Sequence, residues 1–215
     1  MSETKSAAND PDLTRLVDDL LTWRRNVRHF QRRPIAELEM ERLFALAQCA
    51  PSVGNAQPWR FIRVRDKGLR AALADHVDEA ARNAGLCYEG ERATRYASLK
   101  LHGLREAPEI LAVYCDEAPS AGQGLGRATM PETLRYSTVL AIHTLWLAAQ
   151  SRGIGLGWIS IVEPGRISAM LAAPPQWHFV ALICLGYADA PSSLPELERR
   201  GWQARLDWRD NISER

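Results

Sequence analysis

The chain of 215 residues has little net charge, because 27 lysines and arginines are balanced by 26 aspartates and glutamates. General binding to nucleic acid or to an acidic membrane surface requires a broad basic field. A formal charge of +1 therefore argues against both kinds of partner. Hydrophobic residues make up 46% of the chain and charged residues 25%, which is typical of a globular protein with its own core.

The sequence also lacks long hydrophobic runs. The longest nearly apolar stretch, residues 139–149, is interrupted by His143 and Thr144. It is much shorter than the ~20 residues that a transmembrane helix needs. Residues 1–10 are polar and contain no hydrophobic region of the kind that a signal peptide carries. We therefore expect a cytoplasmic protein that does not enter a membrane.

Motifs for metals, disulfides and dinucleotides are absent from the sequence. The four cysteines form no CxxC pair, and Cys49, Cys115 and Cys184 lie in apolar segments, which predicts reduced core residues. The five histidines show no HExxH motif or other metal-ligand spacing, so we predict no metal site. No GxGxxG motif connects a strand to a helix, which argues against a dinucleotide-binding fold.

The spacing of apolar residues predicts an α+β protein. The predicted helices cover residues 13–23, a segment that begins at 34, and residues 67–84, 91–105, 131–152 and 164–172. The predicted strands cover residues 59–64, 110–115, 155–161 and 179–185. We expect a disordered tail at 1–12, one domain at 13–190, and a C-terminal arm at 191–215 that lies on another surface, such as a partner subunit.

Two of these segments have special features. Residues 116–130 form a long loop with three glycines, and loops of this length in a compact domain often act as lids over a site. The helix at 131–152 is apolar on more than one face, which predicts burial on all sides. A subunit interface is one way to provide that burial in a protein of this size.

Positive charge is concentrated in one short segment, because five arginines fall between Arg24 and Arg33. Arg24, Arg25 and Arg28 follow the end of the first predicted helix. The planar guanidinium group matches the geometry of a phosphate group, which favours an anion site. The alternative is that these arginines only offset the dipole of the helix.

A second candidate is the loop from Pro51 to Pro58, where Ser52, Gly54 and Asn55 supply small polar groups and backbone N–H donors. Such loops bind phosphates or flat rings, although an ordinary turn between a helix and a strand has the same composition.

A third candidate is the strand that contains Gly157, Trp158 and Ser160. Glycines in a strand allow another group to approach the backbone closely, although a buried strand explains the same pattern. Arg205 lies between two tryptophans of the arm and is either a further phosphate ligand or a surface residue.

Three motifs together resemble the FMN-dependent nitroreductase superfamily: the segment at 24–28, the loop and strand at 50–61, and the Leu-Gly-Tyr sequence at 185–187. Within that superfamily, the sequences at 124–133, 157–161 and 201–206 are similar to the dimethylbenzimidazole synthase branch. The resemblance extends over residues 13–207.

The resemblance implies an intertwined homodimer with an antiparallel or mixed central sheet surrounded by helices, and with FMN at the subunit interface. Ser52 and Asn55 would come from the facing subunit, Lys100 would lie near the flavin ring, and the loop at 122–127 would be a lid. The implied cofactor-binding residues are Arg24, Arg25, Asn26, Val27, Arg28, Ser52, Asn55, Lys100, Ser160 and Arg205.

The branch uses reduced FMN and O2 to fragment the flavin into the lower ligand of cobalamin, and Asn26 and Ser160 match its catalytic positions. The branch has an aspartate where this chain has Asn26, and an amide cannot accept a proton as a carboxylate can. Two alternatives therefore stand beside a synthase. One is an NAD(P)H-dependent nitroreductase, or a flavin or cob(II)yrinate reductase; the other is a non-catalytic flavin-binding protein.

Overall fold

The computed structural model describes residues 10–190 and 192–215, and the segment 1–9 of the predicted tail lies outside that range. Four strands and seven α-helices are found in the described part of the chain. The helices are α1 (Pro11–Trp23), α2 (Glu37–Ala47), α3 (Lys67–Gly85), α4 (Gly90–Ala97), α5 (Thr133–Gln150), α6 (Pro164–Met170) and α7 (Glu196–Arg199). The strands are β1 (Trp59–Arg63), β2 (Glu109–Asp116), β3 (Gly155–Ile159) and β4 (Trp177–Gly186).

The four strands form one sheet with the order β1-β2-β4-β3, and every neighbouring pair is antiparallel. Side chains alternate across a strand, so β2 supplies both layers of the core. Ile110, Ala112 and Tyr114 pack towards α3 and α6, whereas Leu111 and Val113 pack towards α2 and α5. The predicted α+β class with an antiparallel central sheet is confirmed.

Helix α5 is buried on one side only within this chain. Ile142 and Leu145 are fully buried, whereas Tyr136, Val139 and Leu140 are 42–55% exposed. The prediction that this helix is buried on all sides is therefore not met by one copy of the chain. No helix in the described residues is long and apolar enough to cross a membrane.

Helix α1 shares this character, because it has no buried residue and exposes several apolar side chains. These are Leu13, Leu16, Val17, Leu21 and Trp23. Asp10 caps its first turn by accepting from the backbone N–H groups of Asp12 and Leu13. The helix thus begins two residues before the predicted domain boundary at 13.

Most predicted elements differ from the structure by one or two residues at an end, and three differences are the most informative. Helix α2 begins at Glu37 rather than at Pro34, because Ala36 has an extended backbone. Helix α4 ends at Ala97, so the predicted helix at 91–105 is wrong for its second half. Strand β3 ends at Ile159, so Ser160 lies just beyond it.

Residues 98–105 do not continue helix α4, and a packing contact with Phe30 explains the direction that the chain takes. The backbone of Gly103 lies against the ring of Phe30, and a Cβ atom at Gly103 would be 2.4 Å from a ring carbon. This close approach fixes the chain as it leaves α4 and enters β2.

All four cysteines are free thiols, two of them buried and two exposed. Cys115 and Cys184 are buried as predicted, and burial raises the pKa of Cys184 to about 12. Cys87 is exposed. The prediction for Cys49 is wrong, because it lies in the turn after α2 and is exposed to solvent.

Candidate functional site

The segment 24–28, here called the arginine segment, leaves the end of α1 and runs along the open edge of β3. The N–H of Val27 donates to the carbonyl of Leu156 at 2.9 Å. The side-chain oxygen Oδ1 of Asn26 accepts from the N–H of Trp158 at 2.7 Å. A Cβ atom at Gly157 would lie 2.2 Å from the carbonyl oxygen of Val27, so only glycine allows this approach.

Arg24 lies over the indole ring of Trp146 on α5, with its guanidinium carbon 4.4 Å from the ring centroid. The same indole donates through Nε1 to the carbonyl of Arg25 at 3.3 Å. Burial, together with the nearby charges of Arg205 and Arg25, lowers the pKa of Arg24. Arg24 is thus a partly buried cation among other cations, which is an environment that favours an anion.

Arg25 and Arg28 share one feature, a guanidinium Nε atom that donates no hydrogen bond within the described residues. Arg25 donates to the carbonyl groups of Thr22 at 2.6 Å and Arg24 at 2.8 Å, and to that of Ser193 in the arm. The Nε atoms of Arg25 and Arg28 are buried and have no acceptor among the described residues. An unsatisfied buried donor costs about 1–3 kcal/mol, so both atoms are suited to an oxygen acceptor from a ligand.

A cavity of about 670 Å³ lies between the arginine segment and the beginning of the arm. Among the described residues, its lining includes four arginines, Arg25, Arg28, Arg33 and Arg199, and a single acidic residue, Glu196. The cavity is therefore strongly basic although the chain as a whole is nearly neutral.

Ser160 and Arg205 both lie close to this region. Ser160 is placed there by β3, and Arg205 by the C-terminal arm. Ser160 is exposed and lies two residues beyond Trp158, or about 7 Å along an extended chain. Arg205 is an exposed residue of the arm whose charge acts on Arg24. The structure thus brings seven of the predicted residues into one region: Arg24, Arg25, Asn26, Val27, Arg28, Ser160 and Arg205.

Ser52 and Asn55 lie elsewhere in the chain. Their loop is attached to the first half of α5, where Ser137 Oγ accepts from the N–H of Val53 at 3.0 Å. Trp146, which contacts the arginine segment, is nine residues further along α5, or about 13 Å along the helix axis. A single copy of the chain therefore does not bring this loop to the arginine segment.

The polar groups of this second loop satisfy one another. Ser52 Oγ accepts from the N–H of Gln57 at 3.1 Å, and Asn55 Oδ1 accepts from the Gln57 side chain at 2.9 Å. The backbone of Gly54 has φ +53°, and a Cβ there would be 2.9 Å from the carbonyl oxygen of Leu125. The glycine loop at 122–126 thus packs on the loop at 51–58, not on the arginine segment, and both line a separate cavity of about 940 Å³.

Lys100 belongs to a third region. Its Nζ atom is 3.1 Å from Glu106 Oε1. Both residues line a cavity of about 760 Å³ between α3 and α4, together with Tyr96 and His102. The lining of the basic cavity does not include Lys100.

Two contributors to the site were not predicted for this role. The sequence patterns single out neither Trp146 nor Glu196. Both act through contacts with residues more than 100 positions away in sequence. Local sequence patterns do not report such contacts.

The fold and the basic segment together define a class of protein. Residues 21–187 match the model of the Nitroreductase family, and the chain belongs to that family. The structure of an oxidized iodotyrosine deiodinase bound to FMN and 3-iodo-L-tyrosine is similar, with a TM-score of 0.69 and 24% identity. That likeness covers 82% of this chain and 91% of the other.

Two relatives have the same name. The chain is 53% identical to the 5,6-dimethylbenzimidazole synthase of Rhodospirillum rubrum, over 91% of this chain and 93% of that protein. It is 50% identical to a 5,6-dimethylbenzimidazole synthase of Rhodobacter capsulatus, over 88% of this chain and 92% of that protein. The predicted resemblance to the nitroreductase superfamily is confirmed.

Proposed function

We propose that this protein is an FMN-dependent oxidoreductase that acts as a 5,6-dimethylbenzimidazole synthase. In that reaction, reduced FMN and O2 are consumed and the flavin is fragmented into the lower ligand of cobalamin. The observation that carries the flavin site is the pair of buried Nε donors on Arg25 and Arg28, which have no acceptor among the described residues and suit the phosphate of FMN. The relatives that are about half identical support the same reaction.

The residues of the arginine segment fit the phosphate group of FMN. Arg24, Arg25, Arg28 and Arg205 concentrate positive charge, and guanidinium groups bind phosphate bidentately. Trp158 and Ser160 lie at the adjoining end of β3, where the ring would be held. When bound, reduced FMN supplies the electrons that react with O2, and the protein supplies position, charge and exclusion of water.

Asn26 and Ser160 have different chemical capacities. The Oδ1 atom of Asn26 accepts a hydrogen bond from the N–H of Trp158, and the amide also carries two N–H donors for a ligand, but it cannot take up a proton as a carboxylate can. The Ser160 hydroxyl is exposed and can both donate and accept a hydrogen bond. We assign proton handling to Ser160, and to Asn26 the orientation of a ligand through its amide donors.

The proposed active form is a homodimer. In one chain, the loop with Ser52 and Asn55 is attached to α5 about 13 Å from the contact of the arginine segment. The exposed apolar residues of α1 and α5 provide a surface that a second copy would cover. The facing subunit would then supply Ser52, Asn55 and the loop at 122–127 to complete the site and close it to water.

The test is aerobic incubation of the purified chain with reduced FMN, followed by product analysis. We expect 5,6-dimethylbenzimidazole from the wild type and a loss of about 10²–10⁴ in rate for Ser160→Ala. Ser168→Ala, on α6, is the matched control and should retain the wild-type rate. Intact flavin from the wild type after prolonged incubation would contradict the synthase assignment.

Asn26 favours a second candidate, a flavin-binding protein without synthase activity. An amide at this position cannot take up a proton as a carboxylate can, and its oxygen already accepts a hydrogen bond from the N–H of Trp158. Bound FMN without product, followed by product from Asn26→Asp, would support this candidate. Steady oxidation of NAD(P)H with retained flavin would instead indicate a nitroreductase or reductase.

A further inference from the structure

We propose that Glu196, at the start of α7 in the arm, is a positioning residue that orients Arg28 towards the phosphate of the bound flavin. Its Oε2 atom is 3.5 Å from Arg28 Nη1, and its Oε1 atom is 3.4 Å from His29 Nε2. The Glu196 and Arg28 side chains are only 10% and 12% exposed. This inference rests on the proposed function, because it concerns the same basic cavity.

The contact leaves the useful edge of Arg28 free. A guanidinium group binds an oxyanion bidentately through two parallel N–H donors, and Nε with Nη2 forms one such pair. Glu196 interacts with Nη1, whereas Nε is buried without an acceptor among the described residues. The carboxylate therefore fixes the group without occupying the Nε–Nη2 edge.

Orientation of this kind has a thermodynamic reason. An arginine side chain has several rotatable bonds, and fixing it costs about 1.5–2 kcal/mol of conformational entropy. An ion pair that exists before the ligand arrives meets part of this cost in advance. Binding of the anion then loses less entropy than it would with a freely rotating side chain.

The arm itself is held at several points, so Glu196 has a defined position. The carbonyl of Ser193 accepts from Arg25, and the carbonyl of Gly201 accepts from Arg95 Nη1 at 2.9 Å. Further along, the Trp202 ring packs edge-on against Tyr88, with centroids 5.3 Å apart. The arm thus extends from the arginine segment to the α3–α4 region within the same chain.

The experiment measures the affinity for FMN by fluorescence quenching in a double-mutant cycle of Glu196→Ala and Arg28→Gln. Glu196→Ala should weaken FMN binding about tenfold, because the contact of Arg28 with the phosphate would be weakened and not lost. In the Arg28→Gln background the same substitution should have no further effect, because Glu196 acts through Arg28. Glu196→Gln, which retains an oxygen acceptor, should restore most of the affinity.

The matched control is Glu198→Ala, which removes the same charge from the same helix. Glu198 forms no ion pair with the other described residues, whereas Glu196 contacts Arg28 and His29. It should bind FMN as the wild type does. Equal affinities for Glu196→Ala and Glu198→Ala, in a protein where Arg28→Gln weakens binding, would overturn this inference alone. So would additive losses in the double mutant or tighter binding by Glu196→Ala, whereas a wild type that does not bind FMN would overturn the proposed function as well.

Discussion

The arginine segment at 24–28 and the loop at 51–58 differ in whether their polar side chains are hydrogen-bonded within the chain. In the loop, Ser52, Asn55 and Gln57 hydrogen-bond to one another and hold a backbone with positive φ angles. In the arginine segment, the backbone is held by β3, and two buried guanidinium donors have no acceptor among the described residues. The arginine segment thus has hydrogen-bond donors left for a ligand. The loop at 51–58 uses its polar groups to fix its own conformation.

This difference separates the expected effects of substitution. Changes of side-chain charge in the arginine segment should alter ligand affinity with little effect on folding. Changes in the backbone of the loop should alter folding stability first. The proposed homodimer joins the two regions, because each copy would offer its loop to the arginine segment of the other.

The largest effect should come from Arg24→Gln combined with Arg28→Gln. Each charge-assisted contact with a phosphate is worth about 1.5–3 kcal/mol, so the pair should lower FMN affinity by at least about 100-fold. Fluorescence quenching on titration with FMN measures this loss. Arg15→Gln combined with Arg42→Gln removes two exposed arginines and should leave the affinity unchanged.

The next effect concerns the attachment of the arginine segment to β3. Gly157→Ala should destabilise the protein by about 1–3 kcal/mol, because the added Cβ would lie 2.2 Å from the carbonyl oxygen of Val27. Gly165→Ala is the control, since a Cβ there meets nothing within 4 Å. Urea denaturation measures both, and equal stabilities would show that the segment is not held in the described position.

A smaller effect is expected in the second region. Gly54→Ala and Gly153→Ala both place a side chain on a backbone with positive φ, which costs about 1 kcal/mol. Only Gly54 is also blocked, by the carbonyl oxygen of Leu125 at 2.9 Å. Thermal unfolding should therefore show a lower Tm for Gly54→Ala, and equal values would contradict the packing of the glycine loop.

The smallest effect is the pH dependence of stability that Asp78 on α3 contributes. Asp78 lies outside both regions, so changing it should not alter FMN binding. Burial raises the pKa of Asp78, but hydrogen bonds from Arg105 and His102 outweigh it, so the pKa lies below its ordinary value. The resulting stabilisation is present above the ordinary pKa near 4 and is lost as the pH falls further.

The measurement is the difference in unfolding free energy between the wild type and Asp78→Asn. That difference should decrease from pH 6 to pH 3, by less than about 1 kcal/mol because the pair is partly exposed. A difference that grows towards low pH would contradict the direction of the shift. FMN affinity at pH 7 should be the same in both proteins.

The sequence predicted the elements that depend on local pattern. The alternation of apolar residues predicted the four strands, and the concentration of arginine predicted the basic segment. It could not predict that Cys49 is exposed, because burial after the end of α2 depends on how the next turn leaves the helix. It also could not predict that α4 ends at Ala97, since Gly103 is fixed by a contact with Phe30, 73 positions earlier.

The site was predicted in part for the same reason. Residues near one another in sequence, such as Arg24, Asn26 and Arg28, are recognisable as a motif. The roles of Trp146 and Glu196 depend on contacts across more than 100 positions. The resemblance identified the family, but the hydrogen bond from the N–H of Trp158 to Asn26 Oδ1 joins two residues 132 positions apart and has no local signal in the sequence.

The central claim is that the guanidinium groups of the arginine segment bind the phosphate of one flavin. The most direct measurement compares the dissociation constants of the wild-type chain for FMN and for riboflavin, which lacks the phosphate. The account predicts that FMN binds at least about 100-fold more tightly, and that Arg24→Gln with Arg28→Gln removes this preference. Equal affinity for the two flavins, or a preference that persists in the double variant, would contradict it.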